Sequence, residues 1–246
     1  MKGKSVVLNL SDFKYPTKDE RKLAFQNMPK LKSFDFPNQD AIELIIRDNV
    51  DPRLASRIEN IVWWDNGLKN LLGKLREAYL IAITSYNRGF SDELSENSTP
   101  QHLNRFMFDF YAEVFYYFLV SSRDTIFQIL NELYGIGFEE GKVEYKNKFK
   151  KEVEKYDVAP LLQAFMDHKF IENAIKYRNA FTHRFNPRQN DHRSKVEQNV
   201  YQMGRGQKID SETMVSNMKE VLKLLSNLLN ELKPIFELKY SKLLPK

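Results

Sequence analysis

The sequence predicts an all-α protein: an antiparallel bundle of about four long helices, with an irregular N-terminal extension and a basic loop before the last helix. Three observations carry that expectation. Glycine and proline number only nine each in 246 residues, so few obligatory turns interrupt the chain. Apolar residues recur at alternating three- and four-residue steps over long stretches, the period of a helix with one buried face. A hydrophobic share of 42% can fill a core, and a charged share of 29% keeps the surface wet.

Residues 1–50 are the least regular. Lys14-Tyr15-Pro16, Met28-Pro29 and Phe36-Pro37 break the pattern, leaving short helical pieces at 17–27 and 38–48. We expect an extension over 1–50 laid across a bundle domain over 51–246. From Leu54 to Tyr86 a stripe of Leu, Ile, Tyr and Ala keeps helical phase, with Asp65 its one polar member. Asp65-Asn66-Gly67 is a turn signal, yet the stripe holds its phase across it, which favours one helix. Ser91 to Pro100 is polar and ends it.

A second helix is expected from Asn104 to Tyr134, apolar nearly all round. Its polar exceptions, Asp109, Glu113, Tyr116, Arg123 and Asp124, fall within about 100° of one another on an ideal wheel. They read as a solvated edge, or as acids that meet basic groups from another element. Glu139 to Asp157 is a dense mixed-charge run and reads as an exposed helix or helical linker. Leu161 to Arg184 forms a third helical region in one or two pieces, with Asp167 as cap of the second. Arg184 to Asp210 lacks helical period and is rich in Arg and Lys; Val196 to Gln202 alternates weakly, as one arm of a small hairpin would. The last helix starts near Ser211, and Pro234 is expected to kink it or begin a new one.

The composition excludes several kinds of chemistry. With no cysteine there is no disulfide, thiolate metal site or cysteine nucleophile. The apolar run at the N-terminus is too short for a signal peptide. The most apolar window, Phe106 to Val120, carries Asp109 and Glu113 and is shorter than the roughly 20 residues that span a bilayer. These features predict a soluble, cytoplasmic protein with no membrane contact. A net charge of +5 permits an anionic partner without demanding one. His102, His168 and His192 have no helix-spaced partners of the zinc type, so neither metal nor cofactor is expected. Trp63 and Trp64 read as packing rather than as a platform for bases.

One stretch stands apart: Tyr177-Arg178-Asn179-Ala180-Phe181-Thr182-His183-Arg184-Phe185. With Phe170 at 0° on an ideal wheel, the apolar residues of this helix cover about −20° to 140°, and Arg178 sits among them at about 80°. A guanidinium on such a face costs several kcal/mol unless an acid, a carbonyl or a phosphate meets it. Asn179 and His183, four residues apart, are neighbours on the rim. A purely structural account makes Arg178 a tie to Asp109, Glu113 or Asp124, with His183 at the favourable C-terminal end of the helix.

Arg178-Asn179-x-x-x-His183 near the end of a helix, late in an all-helical chain, resembles the signature of the HEPN superfamily, the higher eukaryote and prokaryote nucleotide-binding domain. Tyr177 before it, and Ser121-Ser122-Arg123-Asp124 in an aromatic-rich helix upstream, resemble larger stand-alone prokaryotic members. The resemblance covers roughly residues 54–244, and its specific part is the six-residue motif.

What the resemblance implies is a homodimer that brings two Arg–His motifs to one cleft and cleaves RNA without metal by 2′-hydroxyl attack. Toxin–antitoxin and anti-phage settings follow from it, with an antitoxin or defence-system protein as further partner. Arg178 and His183 would carry the chemistry, with Asn179 assisting and Tyr177, Ser122 and Asp124 in support. Arg184, Arg188, Arg193 and Arg205 would hold the RNA backbone. Two alternatives stand beside it: a catalytically silent HEPN module that binds nucleotide, RNA or a protein partner, and a plain helical interaction protein. In HEPN toxins paired with a nucleotidyltransferase antitoxin, a modified Tyr commonly stands two residues after the His. Here that position is Phe185, which has no hydroxyl to modify.

Overall fold

The computed structural model describes residues 9–26, 28–183, 186–189, 194–197, 200–203 and 208–245. Among the described residues the regular structure is helical apart from one two-stranded hairpin. In order come α1 (Lys18–Phe25), α2 (Ala41–Asp48), α3 (Pro52–Asn87), α4 (Thr99–Tyr134), α5 (Asn147–Val153), α6 (Ala159–Met166), α7 (Lys169–His183), β1 (Ser194–Glu197), β2 (Val200–Met203) and α8 (Ser211–Ser241). Two compact units arise, each assembled from three separate stretches. The first takes Met1–Met28, Arg76–Tyr117 and Asn173–Glu220; the second takes Pro29–Leu75, Phe118–Glu172 and Val221–Lys246.

In the first unit, Thr17 and Glu20 form a reciprocal capping box that starts α1. The Glu20 carboxylate then accepts from Arg88 at the end of α3, at 2.8 and 2.9 Å, and Arg88 also donates to the Lys14 carbonyl at 2.7 Å. Hydrogen bonding from Arg88 holds the Glu20 carboxyl down at about 2. α3 stops at Gly89, whose φ of 87° favours a residue without Cβ. α4 begins at Thr99, five residues earlier than the periodicity predicts. The reason is local: Ser98 donates through its amide and its hydroxyl to the Gln101 side chain at 2.8 and 2.9 Å, and Pro100 falls in the first turn, where its missing N–H is no loss. Tyr79 lies against Phe115 at 6.1 Å and Tyr86 against Phe108 at 6.0 Å. As one number rises the other falls, so α3 and α4 run antiparallel here.

In the second unit, Asp65 explains its place in an apolar stripe. It is buried, and its two oxygens accept from the amides of Phe34 and Phe36 at 2.9 and 3.2 Å. Burial pushes its carboxyl up, against the pull of those amides. The extended segment it grips is held again along α8: Ser226 donates to the Lys30 carbonyl, Lys233 to that of Phe34 and Tyr240 to that of Pro37. Phe34 packs on Phe236 at 4.8 Å and Phe36 on Tyr240 at 4.7 Å. Near the end of α4, Arg57 donates to the Glu132 carbonyl at 2.7 Å, and α4 then turns at Gly135, φ 62°.

Three sequence expectations need correction in detail. The mixed-charge run does hold a helix, α5, but not a wholly exposed one: Phe149 and Val153 are buried, and Phe127 of α4 packs on Phe149 and Tyr145. Asp167 follows α6 as its C-cap residue instead of opening α7, and its side chain accepts from Gln163. Residues 194–203 hold both arms of the hairpin, with Ser194 opposite Met203 and Glu197 opposite Val200. Pro234 lies inside α8, which continues to Ser241 without a second helix starting. No helix among the described residues is long and apolar enough to cross a membrane.

Candidate functional site

α7 positions the motif in the first unit by burying what lies around it. Tyr177 is buried and meets Tyr116 of α4 edge-on at 5.4 Å; Phe181, one turn later, stacks on the same ring at 6.4 Å. Tyr116 is fixed in turn, its hydroxyl donating to Asn217 Oδ1 of α8 at 2.9 Å. Burial pushes the Tyr116 phenol well above its ordinary value. Burial also raises Tyr177, with Asp210 adding to it, so Tyr177 stays a neutral packing residue at physiological pH.

Arg178 follows directly and is half-buried. Its Nη1 donates to Asn179 Oδ1 at 3.1 Å, so the two polar residues of the motif are in contact. Its Nε is shielded from solvent and has no partner. Thr182 donates back to the Arg178 carbonyl at 2.9 Å and ties this last turn together. Among the described residues no carboxylate lies within ion-pair distance of Arg178. The core tie expected with Asp109, Glu113 or Asp124 is therefore not formed. Asp109 engages other arginines, Glu113 is exposed, and Asp124 accepts from its neighbour Arg123 at 2.6 Å. A planar, partly exposed cation with no acid partner among the described residues suits an anion such as a phosphodiester.

His183 is the last residue of α7, five positions after Arg178. On an ideal helix that is about 7.5 Å along the axis. Its side chain lies outside the described part of the structure, as do Arg184, Arg193 and Arg205. Ser122 and Asp124, suggested as support, lie on α4 in the second unit; Ser122 is buried with its hydroxyl unpaired.

Arg188 departs from the sequence reading. Expected on a surface tail that holds RNA, its side chain is 0% exposed. Its Nη2 meets Asp92 Oδ1 at 2.8 Å and its Nε meets Asp109 Oδ1. The guanidinium carbon lies 4.9 Å from the Phe108 ring centre and 5.6 Å from that of Phe90. Two carboxylates repay the desolvation that a lone buried guanidinium would suffer.

The same aspartate fastens the start of α8. Asp92 Oδ2 accepts from the Ser211 amide at 2.9 Å and hydroxyl at 3.2 Å, while Lys208 donates to Glu93 Oε1 at 2.7 Å. Burial would raise Asp92, but the Ser211 amide and Arg188 outweigh it and hold the carboxyl below its usual value. Burial wins at Asp109, whose carboxyl is pushed up despite Arg188. Asp92 was missed in the sequence, which marks it only as one acid in a polar connector. Asp109 carried a signal, an acid in the midst of an apolar helix, but not the identity of its partner.

A helical chain with Arg178-Asn179 near the end of one helix and His183 closing it has the build of an HEPN domain. The model of the Cthe2314-like HEPN family matches residues 64–240, a span that takes in the motif and both aspartates of the Arg188 clamp. The chain belongs to this family. No curated protein matches it, and no solved structure does.

Proposed function

We propose that the protein is a metal-independent endoribonuclease of HEPN type, acting as a homodimer in a toxin–antitoxin or anti-phage role. The observation that supports this reading is Arg178: a partly exposed guanidinium within the motif that meets no acid among the described residues and touches only the Asn179 side chain.

In the proposed reaction the ribose 2′-oxygen attacks the adjacent phosphorus. The P–O5′ bond breaks, leaving a 2′,3′-cyclic phosphate on one fragment and a 5′-hydroxyl on the other. A base removes the 2′-hydroxyl proton and an acid protonates O5′, roles that suit imidazole near neutral pH. One His183 per chain supplies one of them; a two-fold mate supplies the other. Arg178 offers two parallel N–H groups to the oxygens that gain charge on phosphorus, and Asn179 keeps the fork in place. Arg184, Arg193 and Arg205 remain the proposed contacts to the RNA backbone, and Arg188 leaves that set because it is buried.

The test is RNA cleavage by the purified protein in EDTA, beside Arg178→Ala and His183→Ala. Cleavage that both substitutions abolish supports the mechanism. Cleavage that survives them, or that needs added divalent metal, removes it.

A further inference from the structure

We propose that a cleft at the start of α4 holds an unpaired nucleobase of the RNA strand. This rests on the nuclease reading for the identity of its ligand and adds where the strand goes beyond the Arg178–His183 end of α7. The cleft has a volume of about 920 Å³, and Ser95, His102, Arg105, Phe106, Asp109 and Gln189 are among the residues around it. That size is ordinary for a small-ligand site, which runs from about 300 to 1,000 Å³. All its lining residues belong to the first unit, as does Arg178.

The lining chemistry selects a base over a phosphate. Among the described residues Arg105 is the one arginine of the lining and no lysine joins it; it is already engaged, donating to the Asp92 carbonyl at 2.6 Å and facing Asp109 at 3.9 Å. A phosphate would find no spare fixed cation there among the described residues. A flat, uncharged ring finds Phe106, which is 42% exposed at the cleft. Phe106 stands nearly parallel to Phe110, 17° between planes at 6.4 Å, and both rings are exposed, so two aromatic rings are open to solvent here. Every base has a π-face to lay on such a ring. The side chains of His102 and Gln189 make no hydrogen bond to a described residue and remain for the base edge.

The cleft is also held in register with the motif. Gln189 follows the clamped Arg188 and lies six residues beyond His183, so the two backbones are at most about 22 Å apart. A strand cut at the end of α7 reaches the cleft within a few nucleotides.

A fluorescein-labelled 2′-O-methyl oligonucleotide tests this without chemistry, since it lacks the attacking hydroxyl. Binding by anisotropy should weaken about fivefold or more for Phe106→Ala and be kept by Phe106→Trp. Gln189→Ala should weaken it less, and the melting temperatures of all three should match the wild type. Binding unchanged in Phe106→Ala, or a Trp variant as weak as the Ala variant, overturns the proposal. So does a wild type that does not bind the oligonucleotide; if it still cleaves RNA, the nuclease reading stands without the cleft. Binding that depends on Phe106 in a protein that cleaves nothing keeps the cleft and removes the nuclease reading.

Discussion

Arg178 and Arg188 stand ten residues apart, on either side of His183, and meet opposite surroundings. Arg188 lies in a loop and is sealed between two carboxylates and two aromatic rings. Arg178 lies on a regular helix turn and has only the amide oxygen of its neighbour. The sequence suggests the reverse: the helix wheel allows a buried tie at Arg178, and the family resemblance implies a free cation at Arg188. A wheel places a residue relative to its own helix but not relative to what the next loop folds back onto. Burial with paired charges makes Arg188 a residue that holds the structure; partial exposure, with only a neighbouring amide oxygen among the described residues, leaves Arg178 open to a ligand.

The contrast can be broken by substitution. The largest effect is expected from Arg188→Ala, which takes from the half-buried Asp92 and Asp109 the cation they share and should cost about 3–5 kcal/mol of stability in urea unfolding. A midpoint that does not move would mean the clamp carries nothing. Arg178→Ala should lower RNA cleavage by about 10²- to 10³-fold. Its unfolding free energy should stay within about 0.5 kcal/mol of wild type. A melt as damaged as that of Arg188→Ala would make Arg178 structural after all. Asp92→Asn comes next, at about 1–3 kcal/mol, because the neutral amide weakens the hold on Arg188 and on the Ser211 amide together.

The smallest effect belongs to Glu20 and Arg88, a pair near the surface that calibrates the other two. Its carboxyl sits at about 2 in the folded protein against an ordinary 4.5. A depressed folded value means the contribution is full above about 4.5 and is lost as pH falls through about 2. Glu20→Gln should therefore flatten the acid limb of a stability–pH curve over that window, its loss of stability showing at neutral pH, where the pair contributes in full, and vanishing below about 2. A wild-type curve without that limb would show the pair to be too solvated to matter.

Long-period features were legible in the sequence, and long-range partners were not. The stripe from Leu54 to Tyr86 survives as one helix across Gly67, because a single glycine costs a helix only about 1 kcal/mol. Asp65 was visible as an anomaly, yet its partners are amides 29 and 31 residues earlier, and nothing in spacing points there. The charged run over 139–157 hid Phe149 and Val153 because two buried residues in a seven-residue helix leave too short a pattern to count. At the motif the sequence supplied the residue types and their helix; that no acid meets Arg178 required the fold.

Arg57 and Gly135 show how a helix end can make two distant positions interdependent. A Cβ placed on Gly135 would lie 2.8 Å from Arg57 Nη2, the same nitrogen that donates to the Glu132 carbonyl. Gly135 thus gives the chain its left-handed turn and also vacates the room in which the arginine sits. Any side chain there must evict the guanidinium, so losing the glycine and losing the arginine become partly the same injury. A double-mutant cycle of Gly135→Ala with Arg57→Ala should come out well below additive, a signature of one shared joint rather than two separate ones.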